Sequence, residues 1–193
     1  KTVIDVSSSK LQNGAYYPKD MYNSAGTEMV HMGDAFYDYV PRGKMKRVLV
    51  PDKDLQKYCL TSNDILISRR SLNYEGAAKP SLISESEDNL IFESSLIRLS
   101  PDQNIIDRLY LFSYLSNEKV KKHKVRQYVT GATIKGISQK NLEKVNIVLP
   151  PLDLQKKYAQ MFRKVETLKN SFSYYEQNKL IESLSQKAFA GEL

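Results

Sequence analysis

Two stretches carry the side chains best suited to chemistry on another molecule. "SRRSLNYEGAAK" (68–79) sets Arg69 and Arg70 beside Asn73, Tyr74 and Lys79. "KVKKHKVRQYVTGATIKG" (119–136) places Lys121, Lys122, Lys124 and Arg126 ahead of Thr130, Thr133 and Lys135. A third segment, "RGKMKR" (42–47), adds Arg42, Lys44 and Arg47. Phosphate oxygens are held by Lys, Arg and small hydroxyls, whereas base edges need Arg, Lys, Asn, Gln or Ser on an element that enters the major groove. Arg69, Arg70, Asn73 and Tyr74 are therefore expected on the base side. Thr130, Thr133 and Lys135 sit beside glycines, where backbone can approach a phosphate closely. A solvated helix face is the competing reading of Lys121, Lys122, Lys124 and Arg126.

The charge distribution supports the same chemistry. The net charge is +7, but residues 42–79 carry 9 cations against 4 anions and residues 118–144 carry 8 against 2. The intervening residues 80–117 carry 2 against 6, so two basic blocks flank an acidic one. Clustered positive charge of this kind favours a polyanion, nucleic acid or an acidic membrane surface.

Catalysis within the chain finds little support. There is no Gly-x-Gly-x-x-Gly, no P-loop, no His-Glu-x-x-His and no Asn/Asp-Pro-Pro-Tyr/Phe segment. Asp52 or Asp64 with Glu75 suggests a nuclease carboxylate cluster, yet the usual Glu-x-Lys partner is absent. His31 and His123 are distant and lack carboxylate spacing, so they make no metal site. A single cysteine, Cys59, excludes an internal disulfide and suits a reducing cytosol. The longest apolar runs, such as "DILI", fall far short of a membrane span. The chain begins at Lys1 rather than Met with no signal-like apolar stretch, which leads us to expect a trimmed start.

Positioning these residues falls to a strand-rich body. "KRVLVP", "DILISR", "LIRLS" and "VNIVLP" are short, β-rich and bounded by polar residues, and each predicts a strand. Ile106, Leu109, Tyr110, Ser113 and Tyr114 recur at spacings of three and four, predicting an amphipathic helix over about 105–116, with a second helix from Asn117 towards Tyr128. After residue 150 the pattern changes. Leu154, Tyr158, Met161, Val165, Leu168, Phe172 and Tyr175 alternate steps of four and three, and Ile181, Leu184 and Ala188 resume the stripe one residue out of phase. The expected class is α+β: a strand-rich mixed domain (1–150) followed by a long C-terminal helix (151–193) that pairs with another helix through Leu154, Tyr158, Met161, Val165, Leu168, Phe172, Tyr175 and Leu184.

The joint between the two parts is "VNIVLPPLDLQKKYA" (145–159). Pro150 bars Leu149 from the helical region, and Pro151 suits a helix start, where its missing amide costs nothing. Asp153 in the first turn is favoured by the helix dipole.

The joint, with "TGATIKGISQKNLEK" before it and "LSQKAFAGEL" after the helix, resembles the specificity subunit of type I restriction-modification systems. The pattern runs through Gly131, Thr133, Leu149, Pro150, Pro151, Gln155, Phe189, Gly191 and Leu193. Upstream, "LQNGAYYPKDMYNSAGTEMVHMGDAF" and "YCLTSNDILISRRS" are similar to the family's opening glycine-aromatic segment and its Asp-Ile-Leu strand. The family's usual subunit carries two recognition domains and two helical regions, whereas this chain has one of each.

The resemblance implies a cytoplasmic, non-catalytic subunit whose globular domain reads half of a bipartite site in double-stranded DNA. It also implies a helix that pairs with its counterpart and docks modification methyltransferase subunits, with a translocase-nuclease subunit joining the complex. S-adenosylmethionine, ATP and Mg would belong to those partners and no cofactor to this chain. A homodimer, pairing with a different half-subunit, a fragment of a fused restriction-methylation enzyme and a coiled-coil scaffold whose head binds protein all stay open.

Overall fold

The computed structural model describes residues 1–190, with side chains described as far as Phe172. Among the described residues, nine strands and four short α-helices form a mixed body from which a fifth, long α-helix extends. The central sheet is antiparallel, in the order β1 (Gln12–Asn13), β8 (Leu96–Leu99), β4 (Ile65–Ser68), β6 (Pro80–Leu82). A second sheet pairs β2 (Tyr22–Val30) antiparallel with β3 (Arg47–Val48) and parallel with β7 (Leu90–Phe92). A two-stranded ribbon joins β5 (Arg70–Ser71) to β9 (Lys135–Gly136).

The sequence of β4, Ile-Leu-Ile-Ser, shows no polar alternation because both faces of the central sheet are covered. Ile65 and Ile67 join Leu82, Ile97 and Leu99 in a core shared with α2 (Arg108–Ser116). Leu66 points the other way, into a second cluster with Val30, Leu90, Phe92 and Leu96. The remaining short helices are α1 (Asp52–Tyr58), α3 (Glu118–Val120) and α4 (Gln139–Glu143).

Three expected strands are present at their predicted places: β3, β4 and β8. The fourth, "VNIVLP", is extended backbone outside any sheet. Its partner is the beginning of the chain: the Val3 amide donates to Val145 O at 2.9 Å and the Ile147 amide to Lys1 O at 2.7 Å. Its other carbonyls receive the hydroxyls of Tyr110 (to Val148 O, 2.8 Å) and Tyr114 (to Asn146 O, 3.1 Å).

The expected helix over 105–116 starts later, at Arg108, because the Asp107 carboxylate caps it by accepting from the amides of Leu109 and Tyr110. Its buried residues are Leu109, Leu111, Phe112 and Leu115, a broader surface than the predicted stripe, since the helix is wedged between the central sheet and the long helix. The second helix does begin after Asn117, which caps α3, but passes through a π turn (Lys121–Val125) and a 3-10 turn (Arg126–Tyr128).

The long helix α5 (Leu152–Ala190) has 39 residues, about 58 Å at 1.5 Å per residue. Pro151 sits just before it, its carbonyl accepting from the Leu154 and Gln155 amides. Gln155, Ala159 and Phe162 turn towards the body, with Phe162 edge-on to Phe112 at 6.1 Å. Leu154, Tyr158, Met161, Val165, Leu168 and Phe172 form a separate stripe that is exposed, and from Thr167 to Phe172 every residue is exposed. The side chains of Tyr175 and Leu184, expected to continue that stripe, lie outside the described residues, as do those of Ile181, Ala188 and Phe189 and all of Gly191 and Leu193.

Candidate nucleic-acid interface

The β5–β9 ribbon joins the two basic stretches, which are more than sixty residues apart in sequence. Its register sets Arg70 against Gly136 and Ser71 against Lys135. An open groove of about 330 Å³ lies along it, lined by Arg69, Arg70, Thr130, Gly131, Ile134, Gly136, Ile137 and Ser138.

Tyr74 is the centre of the cationic cluster. The Arg126 guanidinium lies 4.4 Å from its ring centroid and the Lys135 ammonium 4.8 Å. Each contact is worth about 0.5–1 kcal/mol at an exposed site, so the ring helps hold two like charges in one place. Behind it, the Lys121 amine donates to Glu75 O and the Lys79 amine to Phe36 O. Burial, with the neighbouring Lys79 charge second, holds Lys121 below the ordinary lysine range.

The loops that carry these groups are preformed. Thr130 and Gly136 exchange two backbone hydrogen bonds of 2.8 Å, closing a tip over Gly131–Lys135. Lys135 ties the tip from inside, donating to Gly131 O at 2.9 Å and Ala132 O at 2.6 Å. Gly131 has φ +106°, and a Cβ there would fall 1.9 Å from Ile134 O. Across the ribbon, Asn73 Oδ1 accepts from the Gly76 amide and the Ser71 hydroxyl, and buried Ala78 takes a left-handed φ of +59°. Strained positions of this kind persist only where the surroundings over-determine them, and they gather at binding sites.

Arg69, Arg70, Asn73, Tyr74, Lys79, Thr133 and Lys135 thus come together, with Lys122 and Lys124 exposed on the adjoining helical turn. They are not equivalent. Arg70 is exposed, and its guanidinium makes no hydrogen bond or ion pair among the described residues. Arg69 donates to Ser94 O at 3.4 Å, Asn73 uses its carbonyl to shape the loop, and the Lys79 and Lys135 amines are occupied by backbone carbonyls. Arg126, for which the sequence left a nucleic-acid contact and a solvated helix face both open, belongs to the cluster, and its contact with Tyr74 could not be read from either stretch alone.

Arg42, Lys44 and Arg47 lie elsewhere, at the second sheet. Arg42 forms an ion pair with buried Glu28 at 2.9 Å and also donates to Asp88 O, so its geometry pins a loop. The carboxylates weighed for nuclease chemistry are engaged structurally or dispersed. Asp64 is buried and accepts from Thr61 and Ser100. Among the described residues, no group of three His, Cys, Asp or Glu side chains could hold a metal ion. His31 is hydrogen-bonded at both ring nitrogens, to the Tyr22 hydroxyl and Met29 O. No helix among the described residues is long and apolar enough to cross a membrane.

A strand-rich head with a preformed cationic ribbon is thus continued by a long helix whose described part carries an exposed apolar stripe. Residues 3–183 match the type I restriction modification DNA specificity domain, and the chain belongs to that family. It is 29% identical over 164 residues to the type I restriction enzyme StySPI specificity subunit of Salmonella potsdam, covering 78% of this chain and 34% of that protein. Over 197 residues it is 26% identical to the MjaVIII specificity subunit of Methanocaldococcus jannaschii, covering 92% of this chain and 42% of that one. The fold matches a chain solved in a study of complex assembly and conformational transition of the type I R-M system, with TM-score 0.63 and 22% identity, covering 100% of this chain and 45% of that one. It also matches the S subunit from M. genitalium, with TM-score 0.61 and 18% identity, covering 100% and 46%. The chain therefore spans less than half the length of these relatives.

Proposed function

We propose that this chain is a non-catalytic specificity element that reads one half of a bipartite DNA sequence and presents it to methyltransferase subunits. In this reading residues 1–150 form the recognition domain, and residues 151–193 form the helix that pairs with a counterpart and fixes the spacing of two recognition surfaces. The observation that supports it most is the meeting of the two basic stretches on one preformed ribbon, in a chain of the specificity-domain family. Arg69 and Arg70 are the groups proposed to face bases, with Lys122, Lys124 and Thr133 towards phosphates, while Tyr74 and Lys135 hold the ribbon in shape. Two copies paired through α5 would read a palindromic site, since a two-fold protein offers the same surface to each half.

The test is methylation mapping of DNA from cells expressing the cognate methyltransferase subunit, with and without this chain. Methyladenine at a bipartite motif only when the chain is present supports the proposal, and a palindromic motif supports the homodimer. No chain-dependent methylation with a folded methyltransferase subunit overturns it.

A further inference from the structure

The β5–β9 ribbon shows two chemically different faces. The ladder holds two pairs, Arg70–Gly136 and Ser71–Lys135, which face opposite ways. Leu72 and Ile134 are the next residues beyond the Ser71–Lys135 pair, so they adjoin at the end of the ribbon, and Ile134 lines the same groove as Arg70. Burial follows that alternation. Ser71 is buried and Lys135 half-buried over Tyr74, whereas Arg70 is exposed, Leu72 is 83% exposed and Ile134 is 54% exposed.

The outward face thus combines a free guanidinium, two branched apolar side chains and, at Gly136, no side chain at all. Exposed apolar side chains in water invite cover, and the two arginines that line the same groove as Ile134, Arg69 and Arg70, select a polyanion as the occupant over a neutral or basic protein surface. The major groove admits a two-stranded ribbon, and the apolar group it displays on base edges is the C5 methyl of thymine.

We propose that Leu72 and Ile134 are specificity-determining residues that close over a thymine methyl in the major groove, beside the base pair read by Arg70. The inference rests on the DNA-reading function proposed above and adds what is read. Residues two apart in a chain are at most about 7 Å apart, and base pairs stack every 3.4 Å or so, which places the thymine within about two base pairs of the Arg70 contact.

The test uses the full chain and duplexes carrying its mapped motif, with each thymine replaced in turn by deoxyuridine, which removes only the methyl. For the unaltered protein, one replacement should weaken binding by about fourfold, the equivalent of one methyl withdrawn from an apolar contact. Leu72→Ser with Ile134→Ser should weaken binding to the thymine duplex and abolish the difference between thymine and deoxyuridine at that position. The inference fails if every deoxyuridine replacement is silent for the unaltered protein, the result expected were the pair a protein-docking patch. It also fails if the double variant keeps the full discrimination. Absence of any sequence preference in the unaltered protein would instead overturn the DNA-reading function itself.

Discussion

The side-chain oxygen of Gln155 accepts a hydrogen bond from the backbone amide of Asp107 at 2.9 Å, and so ties the first turn of α5 to the first turn of α2. The amide nitrogen of the same side chain donates to Pro150 O at 2.8 Å and Ile105 O at 3.3 Å. Gln155 is buried, yet both ends of its amide are used, so the rigid joint that the two prolines begin is completed by this one side chain.

Replacing Gln155 with Leu keeps the bulk and strips partners from one amide and two carbonyls. A loss of about 1–3 kcal/mol is expected in urea unfolding. A change below about 0.5 kcal/mol, the scale of ordinary surface substitutions, would show that the tie is dispensable.

Arg70→Ala should relax sequence preference at one base pair, at a cost of about 1–3 kcal/mol against the preferred base. Lys122→Ala and Lys124→Ala should instead weaken binding to all sequences alike, each lowering the slope of log K against log salt by about 1. Anisotropy titrations over single-base-pair variants and a salt series separate the two behaviours. An Arg70→Ala protein with unchanged affinity and preference would remove Arg70 from the base-reading set.

Gly131→Ala forces a methyl to within 1.9 Å of Ile134 O at a φ that disfavours any side chain. The strain should open the tip while sparing the core, costing about 1–3 kcal/mol locally. DNA affinity should fall at least tenfold with the far-ultraviolet circular dichroism retained. Unchanged affinity would place the tip away from DNA.

Leu168→Glu places a charge in the middle of the exposed stripe of α5, 55% exposed in the single chain. If the stripe is a dimer seam, the charge is buried unpaired on association, and a dimer should become a monomer by light scattering. A mass that does not respond to the substitution counts against pairing through this face.

Local pattern was enough to locate β3, β4 and β8 and the whole of α5, because each is decided by its own neighbours. "VNIVLP" read as a strand for the same reason, yet its β-branched residues answer to tyrosine hydroxyls and the beginning of the chain, which no local window contains. The site divides along the same line. Each basic stretch was visible, but their meeting at the ribbon depends on a register between residues 70–71 and 135–136. The pairing of Arg42 was hidden for a like reason: an arginine in a cationic run looks alike whether it faces solvent or, as here, a buried glutamate. Leu72 and Ile134 went unnoticed because an isolated apolar residue in a polar loop says nothing until its exposure and its opposite number are known.

The pairing of Lys1 and Val3 with Ile147 and Val145 brings the two ends of the body side by side at the foot of the long helix. Two segments so far apart in sequence thus share one clasp, and neither can loosen without the other.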